Sequence, residues 1–198
     1  MTAAVIPYTL GMGRWGPDTR GRLERAALEL YLERGFEQTT VAEIAGRAGL
    51  TERTFFRHFA DKREVLFGGA ALLQALIADA VMAAPGSVAP MEAVALGLEA
   101  AAAVFEERAA YSRRRQHIIA SNAELQARER SKLAALAGAV AEALRRRGVA
   151  ESEAALTAEA GILVFRAAFE RWIGEANPHG WTQLVRASLR DLRAVVAG

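Results

Sequence analysis

The chain has 198 residues, 52% of them hydrophobic and 24% charged, with a net charge of +2 and no cysteine. That apolar fraction supplies a core and excludes a disordered tail, and the missing cysteine excludes disulfides and thiolate-held metals. The net charge is too small for general polyanion binding, and 23 of the 25 basic residues are Arg, so any nucleic-acid argument must rest on position. Residues 1–17 read as a flexible arm interrupted by Pro7 and Pro17. The opening lacks the cationic start of a secretory signal, so a cytoplasmic location is expected. Gly11-Met12-Gly13-Arg14-Trp15-Gly16 spells GxGxxG, but Pro7 breaks the strand that a dinucleotide loop needs and no βαβ unit follows.

No stretch alternates with period two, while Ala, Leu, Arg and Glu dominate, so the chain reads all-α with about nine helices. Asp18 and Thr19 start a helix with Leu23, Ala27, Leu30 and Tyr31 on its apolar face, stopped by Gly35. Thr40 caps a short helix ending at Gly49, and Thr51 caps a third over Glu52 to about Phe59. Asp61 starts a fourth that runs through Val65, Leu66 and Leu72 to the hinge Pro85-Gly86-Ser87-Val88-Ala89-Pro90. Helices near 91–107, 110–121, 123–147, 151–176 and 180–196 follow, with an Asn-Pro-His-Gly turn at Pro178. The longest apolar stretch, Gly68 to Ala84, is interrupted by Gln74 and Asp79 and reads as too short to span a bilayer. This divides the chain into the arm (1–17), a three-helix domain (18–67) and a larger helical domain (68–198).

Ala48-Gly49-Leu50-Thr51 joins two short helices into a helix-turn-helix, with Gly49 supplying the positive φ of the turn and Leu50 plugging the core. Ile44, Ala45, Leu50, Phe55 and Phe59 fall where apolar contact with the first helix is needed. Thr51, Glu52, Arg53, Thr54 and Arg57 are left to face outward, a set suited to entering a major groove. Arg47, Arg53, Arg57, Lys62 and Arg63 against Glu52 and Asp61 give a local excess of +3. Arg14, Arg20 and Arg22 beside Trp15 offer phosphate or minor-groove contacts, and Thr40 offers a hydroxyl to a phosphate. The competing reading is an ordinary solvated face on a packing unit.

From about Leu23 to Phe67 the sequence resembles the DNA-binding domain of TetR-family transcriptional regulators. The resemblance is carried by Gly35-Phe36, Thr39-Thr40-Val41, Ile44-Ala45, Ala48-Gly49-Leu50-Thr51, Thr54 to Phe59, Asp61-Lys62 and Leu66. It implies that Thr40 contacts phosphate, that Thr51 to His58 enters the groove of double-stranded operator DNA, and that Phe56, His58 and Lys62 clamp the backbone. Two positions depart from the family pattern: Phe56 stands where Tyr is usual, and Arg53 stands where a small residue is usual. Arg53 is placed to bond O6 and N7 of a guanine.

The resemblance also implies a homodimer made by the last two helices. There Ile162, Phe165, Phe169, Trp172 and Ile173 recur at helical spacing, as do Leu184, Leu189, Leu192, Val195 and Val196; each stripe could equally face the monomer's own core. A small-molecule effector pocket is expected from Phe105, Tyr111, His117, Phe165 and Phe169, with Met82, Met91, Leu98 and Ile118 as further candidates. Arg113 to Ile119 with Glu124 to Glu129 resembles the regulatory domain of actinobacterial mycofactocin-regulator-type members of the family, which implies an acyl-CoA or another apolar effector. No cofactor, metal site or enzymatic activity is expected: no nucleophile elbow, Walker loop or HExxH is present, and the histidines are scattered. The expected function is that of a ligand-responsive repressor. The alternative is an all-helical small-molecule-binding protein without DNA-binding activity.

Overall fold

Helix-forming composition becomes, in a computed structural model that describes residues 18–174 and 179–198, ten α-helices and one 3-10 turn, with no strand among the described residues. The helices are α1 (Thr19–Arg34), α2 (Val41–Arg47), α3 (Glu52–His58), α4 (Ala70–Ala83), α5 (Pro90–Ala100), α6 (Ala102–Glu107), α7 (Ala109–Ala120), α8 (Ala123–Arg146), α9 (Glu151–Ile173) and α10 (Trp181–Ala197). The 3-10 turn covers Glu64–Phe67. Gly11 to Gly16, Arg14, Trp15 and Pro178 lie outside the described residues.

Two expected helices are each divided. Gly68 and Gly69 separate the 3-10 turn from α4, because glycine gives a helix interior no side-chain support. At the second break, at Ala101 between α5 and α6, the Leu98 carbonyl accepts both from the Trp181 indole N–H at 2.7 Å and from the Ala101 N–H at 3.3 Å, a tightened turn that a long-range side chain joins. By length and composition alone Glu64–Ala83 is apolar enough to cross a membrane, with a mean hydropathy of 1.9 over its most apolar 18 residues, which corrects the expectation drawn from Gln74 and Asp79. Its folded form is a 14-residue helix behind a turn, with Ile77 and Val81 fully buried and Leu72 59% exposed.

Two apolar cores form. One gathers Ile77 and Val81 of α4 with residues of α5, α6, α8, α9 and α10. Gly97 makes this packing close: a Cβ there would lie 2.9 Å from the Ile77 carbonyl oxygen, so α4 and α5 touch backbone to backbone. The second core holds α1, α2, α3 and the 3-10 turn. It also recruits Ile118, Ile119 and Leu125 from α7 and α8, so the far end of the larger region seals the small one.

Candidate functional site

Threonine caps set the two short helices. The Thr40 hydroxyl accepts from the Glu43 N–H while the Glu43 carboxylate accepts from the Thr40 N–H at 2.8 Å, a reciprocal capping box. Between α2 and α3, Gly49 takes φ +64, and Leu50 N–H donates to the Ala45 carbonyl at 2.8 Å. That closes α2 as a left-handed glycine cap does. Thr51 then accepts from Thr54 N–H at 3.2 Å. Phe55 is fully buried and Phe59 nearly so, which fixes the rotation of α3. Thr51, Glu52, Arg53, Phe56 and Arg57 are exposed, and Thr54 and His58 are half-buried.

The ion pairs redistribute the local charge. Arg47 holds Glu33 through two bonds of 3.0 and 2.9 Å, and Arg63 is bound by Asp61 and Glu124. Arg22 donates to the Ala48 carbonyl, and Arg20 is shared between Glu24 and the Gly68 carbonyl. Neither Arg20 nor Arg22 is therefore the loose phosphate contact expected of it. Lys62 differs most from its expected role. Its ammonium donates to the carbonyls of Phe36, Glu37 and Thr39 at 3.0, 3.1 and 3.0 Å and lies 4.5 Å above the Phe36 ring. All three N–H donors are thus spent inside the protein, on the loop that carries Thr40. Among the described residues, Arg53 and Arg57 enter no ion pair. The outward charge of the unit is carried by these two guanidiniums.

His58 sits behind this face. Its Nε2 is buried without a hydrogen-bond partner, and burial, then Arg57 and Arg20, holds its imidazole below the ordinary histidine range.

A cavity of about 320 Å³ lies among the 3-10 turn, α4, α6, α7, α8 and α9. Phe105, Tyr111, Phe165 and Phe169 line it, and Phe105 stacks on Trp181 with centroids 4.1 Å apart. His117 does not line it: on α7 the inward positions are Tyr111, Ser112, Arg115 and Gln116, and His117 falls on the exposed side of the helix. Met82, Leu98 and Ile118 also lie off its wall, Ile118 because it belongs to the other core. Of the polar wall, the segments 113–119 and 124–129 held Arg115, Gln116 and Glu129, whereas Arg108 and Lys132 gave no signal in the sequence. Arg108, Arg115, Gln116, Glu129 and Lys132 face this space, and the Gln116 Oε1 is buried with no hydrogen-bond partner. Arg115 donates to the Leu66 carbonyl at 2.6 Å and pairs with Glu129 at 3.2 Å.

The last two helices answer a question the sequence left open. Ile162, Phe165, Trp172, Leu184 and Leu189 are buried in the monomer's own core. A different set is exposed: Leu156 at 73% and Leu163 at 55% on α9, with Val195 and Val196 on α10. Met91, Leu156, Leu192 and Val196 border a shallow apolar groove on this face.

A profile described as bacterial regulatory proteins, tetR family, matches residues 24–67, and one described as the MftR C-terminal domain matches residues 88–197. The HTH-type transcriptional regulator TcmR of Streptomyces glaucescens is 41% identical over 76 residues, covering 38% of this chain and 34% of TcmR. The chain thus spans about a third of the length of the curated relatives it matches. Among solved structures, Thermus thermophilus FadR, a TetR-family transcriptional repressor in complex with lauroyl-CoA, superposes with a TM-score of 0.52. It is 25% identical, over 88% of this chain and 93% of FadR. SmeT, repressor of the Stenotrophomonas maltophilia multidrug efflux pump SmeDEF, shares the fold at a TM-score of 0.54 and 18% identity, over 90% of this chain and 92% of SmeT.

Proposed function

Since the chain belongs to the TetR family of bacterial regulatory proteins, we propose that it is a ligand-responsive repressor that binds palindromic operator DNA as a cytoplasmic homodimer. A small apolar or amphipathic effector, with an acyl-CoA or another apolar ligand as candidates, releases it. The observation that carries this reading is the outer face of α3, where Arg53 and Arg57 stand exposed and outside every internal ion pair while Phe55 anchors the helix from behind.

Thr51, Glu52, Arg53, Thr54 and Arg57 enter the major groove, with Arg53 reading a guanine edge. Thr40 reaches a phosphate by turning its hydroxyl proton away from the Glu43 carboxylate, to which it donates at 2.9 Å, and Phe56 with the exposed part of His58 lies against the backbone. Lys62 serves the same contact from behind, by locking the loop that presents Thr40. A helix of seven residues spans few base pairs, so two copies act together on two half-sites. Leu156, Leu163, Val195 and Val196 supply an apolar seam for a shared four-helix interface.

Effector binding in the cavity shifts the 3-10 turn and α4, which join Lys62 to the hinge at Pro85, and so changes the spacing of the two reading heads. An effector that prefers the DNA-incompetent form ~100-fold supplies about 2.7 kcal/mol of coupling. The lauroyl-CoA held by FadR supports an acyl ligand for this cavity.

Electrophoretic mobility of DNA flanking the gene tests the proposal, with salt raised from about 50 to about 200 mM and with added lauroyl-CoA. Sequence-selective, salt-sensitive retardation relieved by lauroyl-CoA is expected. A chain that binds ligand but retards no DNA is the all-helical binding protein instead.

A further inference from the structure

Glu24 is a carboxylate in the core of α1, with its side chain only 11% exposed. A charge so placed is tolerable only when paired, and two guanidiniums pair it. Arg20, one turn earlier on α1, reaches Glu24 Oε1 at 3.3 Å, and Arg108 Nη2 reaches Glu24 Oε2 at 2.8 Å across 84 positions of sequence. Arg108 belongs to the junction between α6 and α7 and is itself part of the cavity wall, with its guanidinium 4.4 Å above the Tyr111 ring. Arg115 and Lys132, the neighbouring cations of that wall, are held by the Leu66 carbonyl with Glu129 and by Glu64. Arg108 is the wall cation whose carboxylate partner sits on α1.

We propose that Glu24 and Arg108 form an exchange pair through which the cavity senses the carboxylate of an anionic amphipath. This rests on the reading of the cavity as an effector site, and within the amphipathic class given above it selects a free carboxylate over the thioester of an acyl-CoA. The ligand's apolar tail packs against Phe105, Phe165 and Phe169, and its carboxylate takes the Arg108 guanidinium. Glu24 is then left with Arg20 alone in a site that keeps water away, and α1 moves to rehydrate it. Because α1 holds α2 through Arg47 with Glu29 and Glu33, and the turn through Arg22 and the Ala48 carbonyl, the displacement reaches the reading helix.

The test uses the full chain and two probes of one tail length, laurate and dodecanol, so that only the charge differs. Binding is read from Trp172 and Trp181, which pack on Phe105 at the cavity. The response of α1 is read from amide hydrogen exchange over Thr19–Arg34. We expect laurate to bind more tightly than dodecanol and to raise exchange in α1. Arg108→Gln should weaken laurate at least tenfold and leave dodecanol unchanged. Glu24→Gln, which frees Arg108 beforehand, should tighten laurate at least threefold and abolish its effect on α1. The proposal is overturned if laurate does not bind or binds no better than dodecanol. It is also overturned if Arg108→Gln weakens both probes alike, or if laurate leaves α1 unaltered in the wild-type chain. Should Glu24→Gln not fold, the Arg108 comparison and the wild-type exchange data decide alone. None of these readouts uses DNA, so a chain that retards no operator refutes the regulator reading without touching this one.

Discussion

At the scale of single residues, position decides which charges can act. Five basic side chains cluster around α3, yet Arg47, Lys62 and Arg63 are consumed by partners inside the protein, and Arg53 and Arg57 are not. Arg53→Ala should therefore weaken operator binding by ~1–3 kcal/mol and relax preference at one base pair. Binding measured on an operator series with single base substitutions checks this, and a uniform loss across the series would deny Arg53 a base-reading role. His58 gives a second expectation. Burial holds its pKa below the ordinary value, so the neutral ring is the folded form's preference. Its contribution to stability is complete above about pH 6.5, the unfolded value, and is lost as pH falls through the lower folded value. Asp61, held down by Arg63, and Glu64, held down by Lys132 and Arg128 against its burial, keep their contributions until the carboxylate range. Melting temperature should accordingly fall between pH 7.5 and 5, and His58→Asn should flatten that dependence. A wild-type melting curve unchanged over this range would contradict the assignment.

At the scale of elements, local chemistry was legible where the partner lies within a turn of chain. Thr40 with Glu43, Gly49 in its left-handed turn, Thr51 with Thr54, and Phe55 with Phe59 could all be read from spacing. The break at Gly68-Gly69 is legible in the glycine pair itself. The break at Ala101 was not legible, since its neighbours are good helix formers and Trp181, which joins the turn there, lies 83 residues beyond the Leu98 carbonyl it binds. The same distance effect hid the partners of Arg22, Lys62 and Arg108. Periodicity marked apolar faces on α9 and α10 but carries no information on whether the facing surface belongs to the same chain, which is why the stripe through Phe165 and Trp172 turned inward. Gly97 marks where α4 and α5 meet most closely. Gly97→Ala should push the helices apart and destabilise the chain by ~1–3 kcal/mol, as overpacked cores do. A thermal melt unshifted relative to wild type would mean that the contact yields freely.

For the whole molecule, assembly is the open quantity. Leu163 is 55% exposed, so Leu163→Glu leaves the monomer's core untouched and places a charge in the proposed seam. Sedimentation should show at least ~10-fold weaker self-association, the loss expected for a central apolar contact at an interface. Unchanged association would move the seam elsewhere. The lengthwise arrangement of the chain bears on signalling as well. Ile118, Ile119 and Leu125 complete the core beneath α1, so the two regions are not beads on a string, and a shift in α7 meets the small domain directly.

Trp181 opens α10, grips the α5 backbone and stacks on a ring of the cavity wall, while the other end of the same helix carries the bare valines Val195 and Val196. A guest that displaces Phe105 thus leans on a rod whose tip lies at the proposed seam. Were two copies joined there, filling one chamber would be felt at the other through these rods, and the binding curve would depart from a simple hyperbola.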